Sequence, residues 1–196
     1  MPTLARWHST WTGLGVAPPV DSVHAALVAR YGEPHRSYHT VQHLDECFAR
    51  LDEAHAPAEH ALEVELALWF HDAIYDTHRS DNEAQSAVLA RAEGERARVP
   101  APVLARIDAL ILATRHDASP VTADAMLLVD VDLAILGAPV ERFDEYERQV
   151  RAEYGSVPGL LSGASVVKSS RASWRGRACT APTPSTRPTR RWPGRI

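Results

Sequence analysis

The chain of 196 residues has few residues of several kinds: one lysine, two cysteines, two methionines and three phenylalanines. It also lacks any run of about 18 apolar residues, so we expect no membrane-spanning helix. Two cysteines, Cys47 and Cys179, cannot form a framework of disulfides. The first residues lack the continuous apolar segment of a secretory signal. We therefore expect a soluble protein in the reducing environment of the cytoplasm.

Two common catalytic motifs are missing as well. The sequence contains no GxxxxGK[ST] loop, which excludes a P-loop nucleoside triphosphatase, and no GxSxG turn, which leaves a serine hydrolase unsupported. What the sequence does contain is enough apolar material for a folded core, because 45% of its residues are hydrophobic. Its length fits a single domain.

Acidic residues are confined to the first part of the chain. Residues 1–154 carry all 25 acidic side chains and 13 arginines, a net charge of −12, whereas residues 155–196 carry seven arginines, one lysine and no acid, a net charge of +8. We divide the chain into a helical domain at 1–157 and a basic tail, rich in serine, proline and arginine, at 158–196. The tail has no periodic apolar face and is predicted to be unstructured.

Two hypotheses could explain the tail. A basic segment can attract nucleic acid, but we do not favour this interpretation. The strong arginine bias of the whole chain suggests GC-rich codons, and back-translation of 173–196 in a shifted frame permits a helix-compatible sequence. A frameshift after about Pro158 is therefore the preferred hypothesis, which would make the chain a damaged copy. The nucleotide sequence of the gene would test it, because early stop codons in that frame would exclude it.

Residues 1–154 are predicted to form consecutive helices. Apolar residues recur at helical spacing, and Asp21 or Ser22, Ser80 with Glu83, and Thr122 stand where helix caps are expected. Only 127–133 could pass for a strand, and no other segment offers it a partner. The fold class is therefore all-α. The predicted helices cover about residues 21–31, 39–54, 61–75, 81–98, 103–116, 123–137 and 140–154.

Two acidic positions within apolar segments suggest a metal site. His71 and Asp72 follow the apolar residues LALWF, and burying a carboxylate costs free energy unless it is paired or bound to a metal. Imidazole and carboxylate together suit divalent transition metals. The alternative is an Asp that caps a helix or forms a salt bridge. Asp130 and Asp132 also lie in an apolar run, and two residues apart on a helix at most one of them faces the interior.

A histidine pair completes the candidate set. His39 and His43 are four residues apart, which predicts that both lie on one helical face. Both could bind one metal, or one could bind it while the other contacts substrate or orients a ligand. The residues alone leave these alternatives open.

The order His43, His71-Asp72, Asp132 over three predicted helices resembles the HD superfamily of metal-dependent phosphohydrolases, and its small bacterial branch in particular. The resemblance covers about residues 3–157 and implies an all-α HD-domain helical bundle. It favours His43 over His39, because Leu44 and an amphipathic helix follow His43. It favours Asp132 over Asp130, because an acid precedes the leucine in the last motif. The segments that carry the resemblance are PHRSYHTVQHL, ELALWFHDAIYDTHRSDNEAQSA, ATRHD, DVDLAILG and FDEYERQVRAEY.

The resemblance implies that His43, His71, Asp72 and Asp132 bind a divalent cation: manganese, cobalt, nickel, zinc, iron or magnesium. It also implies that metal-activated water hydrolyses a phosphomonoester or nucleotide, so the expected partner is a small phosphorylated molecule. The further C-terminal helix that the family has after residue 157 is not recognisable here.

Further residues have roles that the sequence leaves open. Asp76, four residues after Asp72, is predicted to share its helical face and to orient water or bind a second metal; otherwise it is only a residue at a helix end. His116 is predicted to protonate a leaving group, or to be an exposed helix-end residue. Glu83 could serve the site, but its position in the capping box favours a structural role. Besides His39, the candidate substrate-binding residues are arginines, whose guanidinium groups match phosphate: Arg36, Arg79 and Arg115.

Two rival functions remain. The chain could be an inactive HD-type module that binds metal or nucleotide without turnover, or a helical interaction protein with incidental histidines. The second rival predicts no stoichiometric metal.

Overall fold

The structure, a computed structural model, describes residues 2–54 and 58–155. Within these ranges it contains α-helices, one short 3-10 helix and no strand, so the all-α prediction is confirmed. The prediction for the tail at 158–196 lies outside the described residues. The helices are α1 (Leu4–Gly13), α2 (Asp21–Arg30), α3 (Val41–Glu53), α4 (Ala61–Phe70), α5 (Asn82–Arg96), α6 (Ala101–Ala113), α7 (Ala123–Asp132), the 3-10 helix (Leu133–Gly137) and α8 (Val140–Glu153).

Helix α4 is the centre of the bundle. All of its residues except Glu63 and Glu65 are apolar, and the residues Leu66–Phe70 are buried without interruption, as expected of a helix surrounded by others. Helices α1, α3, α5, α6 and α7 all pack against it. The C-terminal end of α4 therefore lies inside the molecule, and the residues that follow Phe70 emerge among neighbouring helices.

Helix α1 was not predicted from the sequence. Thr3 caps it by accepting a hydrogen bond from the Arg6 amide. Its buried face consists mainly of Trp7 and Trp11, both fully inaccessible, and the Trp7 ring meets Trp69 of α4 edge to face, with centroids 5.3 Å apart. The two rings lie one turn apart on one face, so the sequence did carry a periodic apolar signal for this helix.

Several helix ends differ from the sequence prediction. Helix α4 ends at Phe70 rather than near residue 75, so the chain after it turns sharply. Helix α5 begins at Asn82 with Asp81 at its N-cap, so the predicted capping box of Ser80 and Glu83 is wrong. Thr122 caps α7 as predicted, by accepting from the Ala125 amide, but the α-helix stops at Asp132 and continues as the 3-10 helix.

A second hydrophobic cluster lies apart from the main core. It joins α8 and the 3-10 helix to the loop before α3, and thereby forms a wall beside the end of α7. The members of the cluster are Tyr38, Ile135, Leu136, Phe143, Tyr146 and Val150.

None of the described helices has the length and apolar character needed to cross a membrane.

Candidate metal centre

Four side chains from three helices converge at the C-terminal end of α4. His43 lies in the first turn of α3, His71 is the C-cap of α4, Asp72 follows it, and Asp132 ends α7. His43 and His71 are 2% and 1% exposed, and the two carboxylate side chains are 13% and 12% exposed. The structure thus brings together the side chains of the four predicted ligands, whereas Asp130 is exposed. Their function as ligands stays a prediction.

The donor atoms have the spacing of a metal site. The Nε2 atoms of His43 and His71 are 3.2 Å apart. Asp132 Oδ1 lies 3.2 Å from His43 Nε2, and Asp72 Oδ2 lies 3.1 Å from His71 Nε2. Tetrahedral ligands at about 2.1 Å from one ion are about 3.4 Å apart, so these atoms could hold a single cation with little movement.

The hydrogen bonds of His71 favour the same interpretation. Its Nδ1 donates to the Leu68 carbonyl at 2.8 Å, which fixes the ring and leaves Nε2 to face His43. Two ring nitrogens at 3.2 Å repel when both carry a proton or both present a lone pair. A cation between the two nitrogens and the carboxylates satisfies all of them.

The electrostatics of the four groups match this geometry. Burial lowers the pKa of His71, but the charge of Asp72 and hydrogen bonds to both carboxylates outweigh it and hold that pKa well above its usual value. Burial raises the pKa of Asp132, but hydrogen bonds from His116, His43 and His71 hold it well below its usual value. Both directions show that the two carboxylates favour positive charge on the groups beside them, and a divalent cation can supply such charge.

Cys47 is a further potential donor that the sequence analysis missed. Its Sγ lies 3.7 Å from His43 Nε2, and it belongs to a group with His43, His71 and Asp132 whose ligand atoms all lie within 4.8 Å of one another. The signal was present in the sequence, because Cys47 stands four residues after His43 and therefore one turn further along α3.

His39 is held by a carboxylate that the sequence analysis also missed. Its Nδ1 donates to Glu153 Oε2 at 2.7 Å, and Glu153 Oε1 accepts from the backbone amides of Ser37, Tyr38 and His39. The prediction that His39 and His43 share a helical face is wrong, because α3 begins only at Val41. Burial raises the pKa of Glu153, but the hydrogen bonds from His39 and the backbone amides outweigh it and lower that pKa.

A cavity of about 300 Å³ opens beside the centre. Asp72 and Asp132 line it together with His39, Arg115 and His116. His116 has a left-handed backbone (φ 56°), and its Nε2 donates to Asp132 Oδ2 at 3.0 Å. Arg115 pairs with Asp117 at 3.3 Å. The cavity therefore joins the acidic centre to basic side chains.

Glu83 lies in the same cavity, although the sequence suggested a structural role. It does not cap α5 with its side chain. Burial, reinforced by the nearby charge of Asp72, raises the pKa of Glu83. Four tyrosines complete the wall: Tyr38, Tyr75, Tyr146 and Tyr154.

Arg36 supports the centre from behind. Its guanidinium is fully buried and donates to the carbonyls of Asp72 (2.6 Å), Ala73 (3.1 Å) and His39 (3.2 Å). These bonds fix the turn that carries His71 and Asp72. Because its donors are used in this way, Arg36 does not fit the predicted role of a phosphate clamp.

Two further predicted residues lie elsewhere. Asp76 does not share a helical face with Asp72, because the chain has left the helix at Phe70; its half-exposed carboxylate accepts from the His78 amide at 2.9 Å. Arg79 is exposed and forms two hydrogen bonds with Asp81. Neither Asp76 nor Arg79 lines the cavity beside the centre.

Comparisons of the chain with protein-family models, with curated proteins and with solved structures found no match. The geometry of the centre must therefore carry the functional argument.

Proposed function

We propose that this chain is a metal-dependent phosphohydrolase of the HD type, acting on a small phosphomonoester or nucleotide. The observation that carries the proposal is the convergence of two histidine nitrogens and two carboxylates beside a cavity lined by basic side chains. The resemblance of the motifs to the HD superfamily supports the choice of phosphate ester hydrolysis over other metal chemistry.

The proposed metal ligands are His43, His71, Asp72 and Asp132. A divalent cation held there would lower the pKa of a water molecule and polarise a phosphoryl oxygen. Arg36 holds the backbone of the turn after α4, and Leu68 holds the ring of His71. The ligands are thus preorganised by groups that do not themselves face the cavity, and such support keeps ligand geometry fixed during a reaction.

The substrate would enter the cavity of about 300 Å³. Arg115 and His116 lie on its wall, where positive charge would attract a phosphate and offset the charge that develops on its oxygens. His116, held against Asp132, is the proposed proton donor to the leaving group. We assign no role to Asp76, and propose that Glu83, which does line the cavity, positions the attacking water.

The first test is metal content, measured by elemental analysis on the parent, on Asp72→Ala and on Asp130→Ala. Asp130 is the matched control, because it is an exposed acid in the same helix as Asp132. We expect stoichiometric transition metal in the parent and in Asp130→Ala, and its loss in Asp72→Ala. Absence of metal from a folded parent, even after reconstitution with manganese, cobalt, nickel or zinc, would overturn the proposal and favour a helical interaction protein.

The second step is a hydrolysis screen of the metal-loaded parent with p-nitrophenyl phosphate and nucleoside monophosphates. Turnover that disappears in Asp72→Ala and persists in Asp130→Ala would support the phosphohydrolase. Stoichiometric metal without turnover on any of these substrates would favour the inactive binding module instead.

A further inference from the structure

We propose that His39 is the general base of the reaction: its Nε2 accepts a proton from the attacking water, while Glu153 holds the ring through Nδ1. This inference rests on the proposed function and deepens it. That function assigns a proton donor, His116, and a group that positions the water, Glu83, but no proton acceptor. His39 adds a catalytic residue that is not one of the four proposed metal ligands.

The contact with Glu153 determines which ring nitrogen of His39 carries the proton. One carboxylate oxygen accepts from three backbone amides of the loop before α3, and the other lies 2.7 Å from Nδ1 of the ring. A carboxylate with this many N–H donors is favoured in its ionised form, which can only accept. The proton therefore lies on Nδ1, and Nε2 of the neutral ring presents a lone pair.

Two tyrosines hold the ring of His39 in place. Tyr75 stacks on it, with centroids 4.1 Å apart and planes at 27°, and Tyr38 meets it edge to face with centroids 4.8 Å apart. The hydroxyl of Tyr75 also donates to Glu153 Oε2 at 3.4 Å, so one tyrosine contacts both the ring and the carboxylate that orients it. A base whose ring is oriented by a third group is the arrangement by which many enzymes activate a nucleophile.

The ring of His39 lies at the wall of the proposed reaction site. It lines the cavity of about 300 Å³ together with both aspartates of the metal centre, and its centroid is 5.6 Å from that of the His43 ring. Its side chain is 21% exposed, whereas that of Glu153 is inaccessible. Among the described residues, the ring makes no hydrogen bond besides the one to Glu153. The other histidine of the wall, His116, uses its Nε2 to donate to Asp132. His39 is therefore the histidine of this wall that has a lone pair to offer.

The proposed step balances within residues of this chain and water. As Nε2 of His39 takes a proton from the attacking water, the electron pair of the broken O–H bond stays on the oxygen, which forms the new bond to phosphorus. The ester P–O bond breaks, and the leaving oxygen takes a proton from His116. Glu153 stabilises the positive charge that forms on the His39 ring. His39 then releases its proton to solvent and His116 regains one.

The chain contains a similar pair elsewhere, which provides a matched control. The Nδ1 atom of His60 lies 3.0 Å from Asp124 Oδ2, and Asp124 also accepts from backbone amides. The His60 ring lines a different cavity, of about 470 Å³, whose wall includes none of the four proposed ligands. His39→Asn and His60→Asn both keep a side-chain N–H near the carboxylate and both lose Nε2, so their comparison isolates the nitrogen at the reaction site.

The first test measures kcat of the metal-loaded full chain on two substrates. The leaving group of p-nitrophenyl phosphate departs without a proton, whereas that of a nucleoside monophosphate needs one. We expect kcat of His39→Asn to fall at least about 100-fold on both substrates, the lower end of what general acid–base catalysis contributes. Its metal content is expected to stay stoichiometric, and His60→Asn is expected to match the parent. A loss confined to the nucleoside monophosphate would make His39 a proton donor and overturn the proposal.

The second test determines the tautomer without measuring activity. In the ¹⁵N-labelled, Zn²⁺-loaded full chain, NMR correlations between the carbon-bound ring protons and the ring nitrogens show which nitrogen of His39 carries a proton. We expect a proton on Nδ1 and a lone pair on Nε2. A neutral ring with its proton on Nε2 would overturn the proposal, and this measurement on the parent decides the tautomer even where His39→Asn does not fold.

The outcomes separate the two proposals. Turnover by His39→Asn at the rate of the parent would overturn the role of His39 and leave the phosphohydrolase in place. Absence of turnover in the metal-loaded parent on both substrates would overturn both.

Discussion

The Glu153 group and the metal centre each join histidine to a buried carboxylate, and they differ in which groups contact the carboxylate oxygens. Around Glu153, three backbone amides and the His39 ring donate to the two oxygens. At the metal centre, the oxygens of Asp72 and Asp132 instead meet histidine rings, and two Nε2 atoms face each other at 3.2 Å. Backbone amides supply most of the hydrogen-bond donors to the carboxylate of the first group. In the second group, the potential ligand atoms of several side chains lie close to a common point.

A third pair supports this distinction. Asp124 accepts from the backbone amides of Glu59 and His60 and from the His60 ring at 3.0 Å. As at Glu153, a carboxylate with amide donors fixes one segment of chain to another. A carboxylate that accepts its hydrogen bonds from backbone amides therefore indicates a structural pair. Histidine nitrogens and carboxylates that converge without such amides indicate a candidate metal site.

The largest effect is expected at the metal centre. His71→Ala removes one of the two converging nitrogens, so we expect Zn²⁺ affinity to fall at least about 1,000-fold, or about 4 kcal/mol. Isothermal titration calorimetry with a competing chelator measures this loss. His60→Ala, in a pair saturated by amides, is the control and is expected to bind as the parent does. Equal losses in both variants would remove the distinction between the two kinds of pair.

A smaller effect, on the stability of the fold rather than on metal binding, is expected from a substitution at Glu153. Glu153→Ala leaves three amides and the ring of His39 without their acceptor, and we expect it to lower the free energy of unfolding by about 3 kcal/mol. Urea denaturation measures this change, while metal content is expected to stay stoichiometric under folding conditions. Loss of metal from a folded Glu153→Ala would show that the two groups are not independent.

The smallest effect is a difference in pH dependence. Because the pKa of Glu153 is lower in the folded protein than in the unfolded chain, its ionised form stabilises the fold above the unfolded pKa of about 4.3. That contribution disappears as the pH falls through the lowered pKa. We expect the stability difference between the parent and Glu153→Gln to shrink between about pH 6 and about pH 3.

Thermal denaturation of the metal-free proteins over this pH range measures the difference. Glu141→Gln, at an exposed position of the same helix, is expected to follow the parent throughout. A constant gap between the parent and Glu153→Gln would contradict the lowered pKa.

Local patterns predicted much of the fold. Apolar spacing and caps such as Thr122 depend on residues within a few positions, so seven of the helices could be expected from the sequence. The end of α4 could not, because His71 and Asp72 leave the helix to reach partners on α3 and α7. The prediction for Asp76 was wrong about its helical face for that reason.

The candidate site was predictable only in part. The motif resemblance implied four residues that the structure does bring together, although no spacing rule connects His43 to Asp132. Arg36 illustrates the limit: an arginine gives the same sequence signal whether it binds phosphate or, as here, backbone carbonyls. The role of Glu153 depends on contacts with residues more than 100 positions earlier, which local patterns cannot indicate.

The bond from Glu153 to the Ser37 amide spans 116 positions of sequence. Closing a loop of this length costs chain entropy, which must be offset before such a contact adds to stability. The amides of the loop before α3 have this acceptor only while α8 is docked, although the two are far apart in the order of synthesis. Exchange of the amide protons of residues 37–39 with solvent therefore reports on the docking of the last helix rather than on the stability of α3.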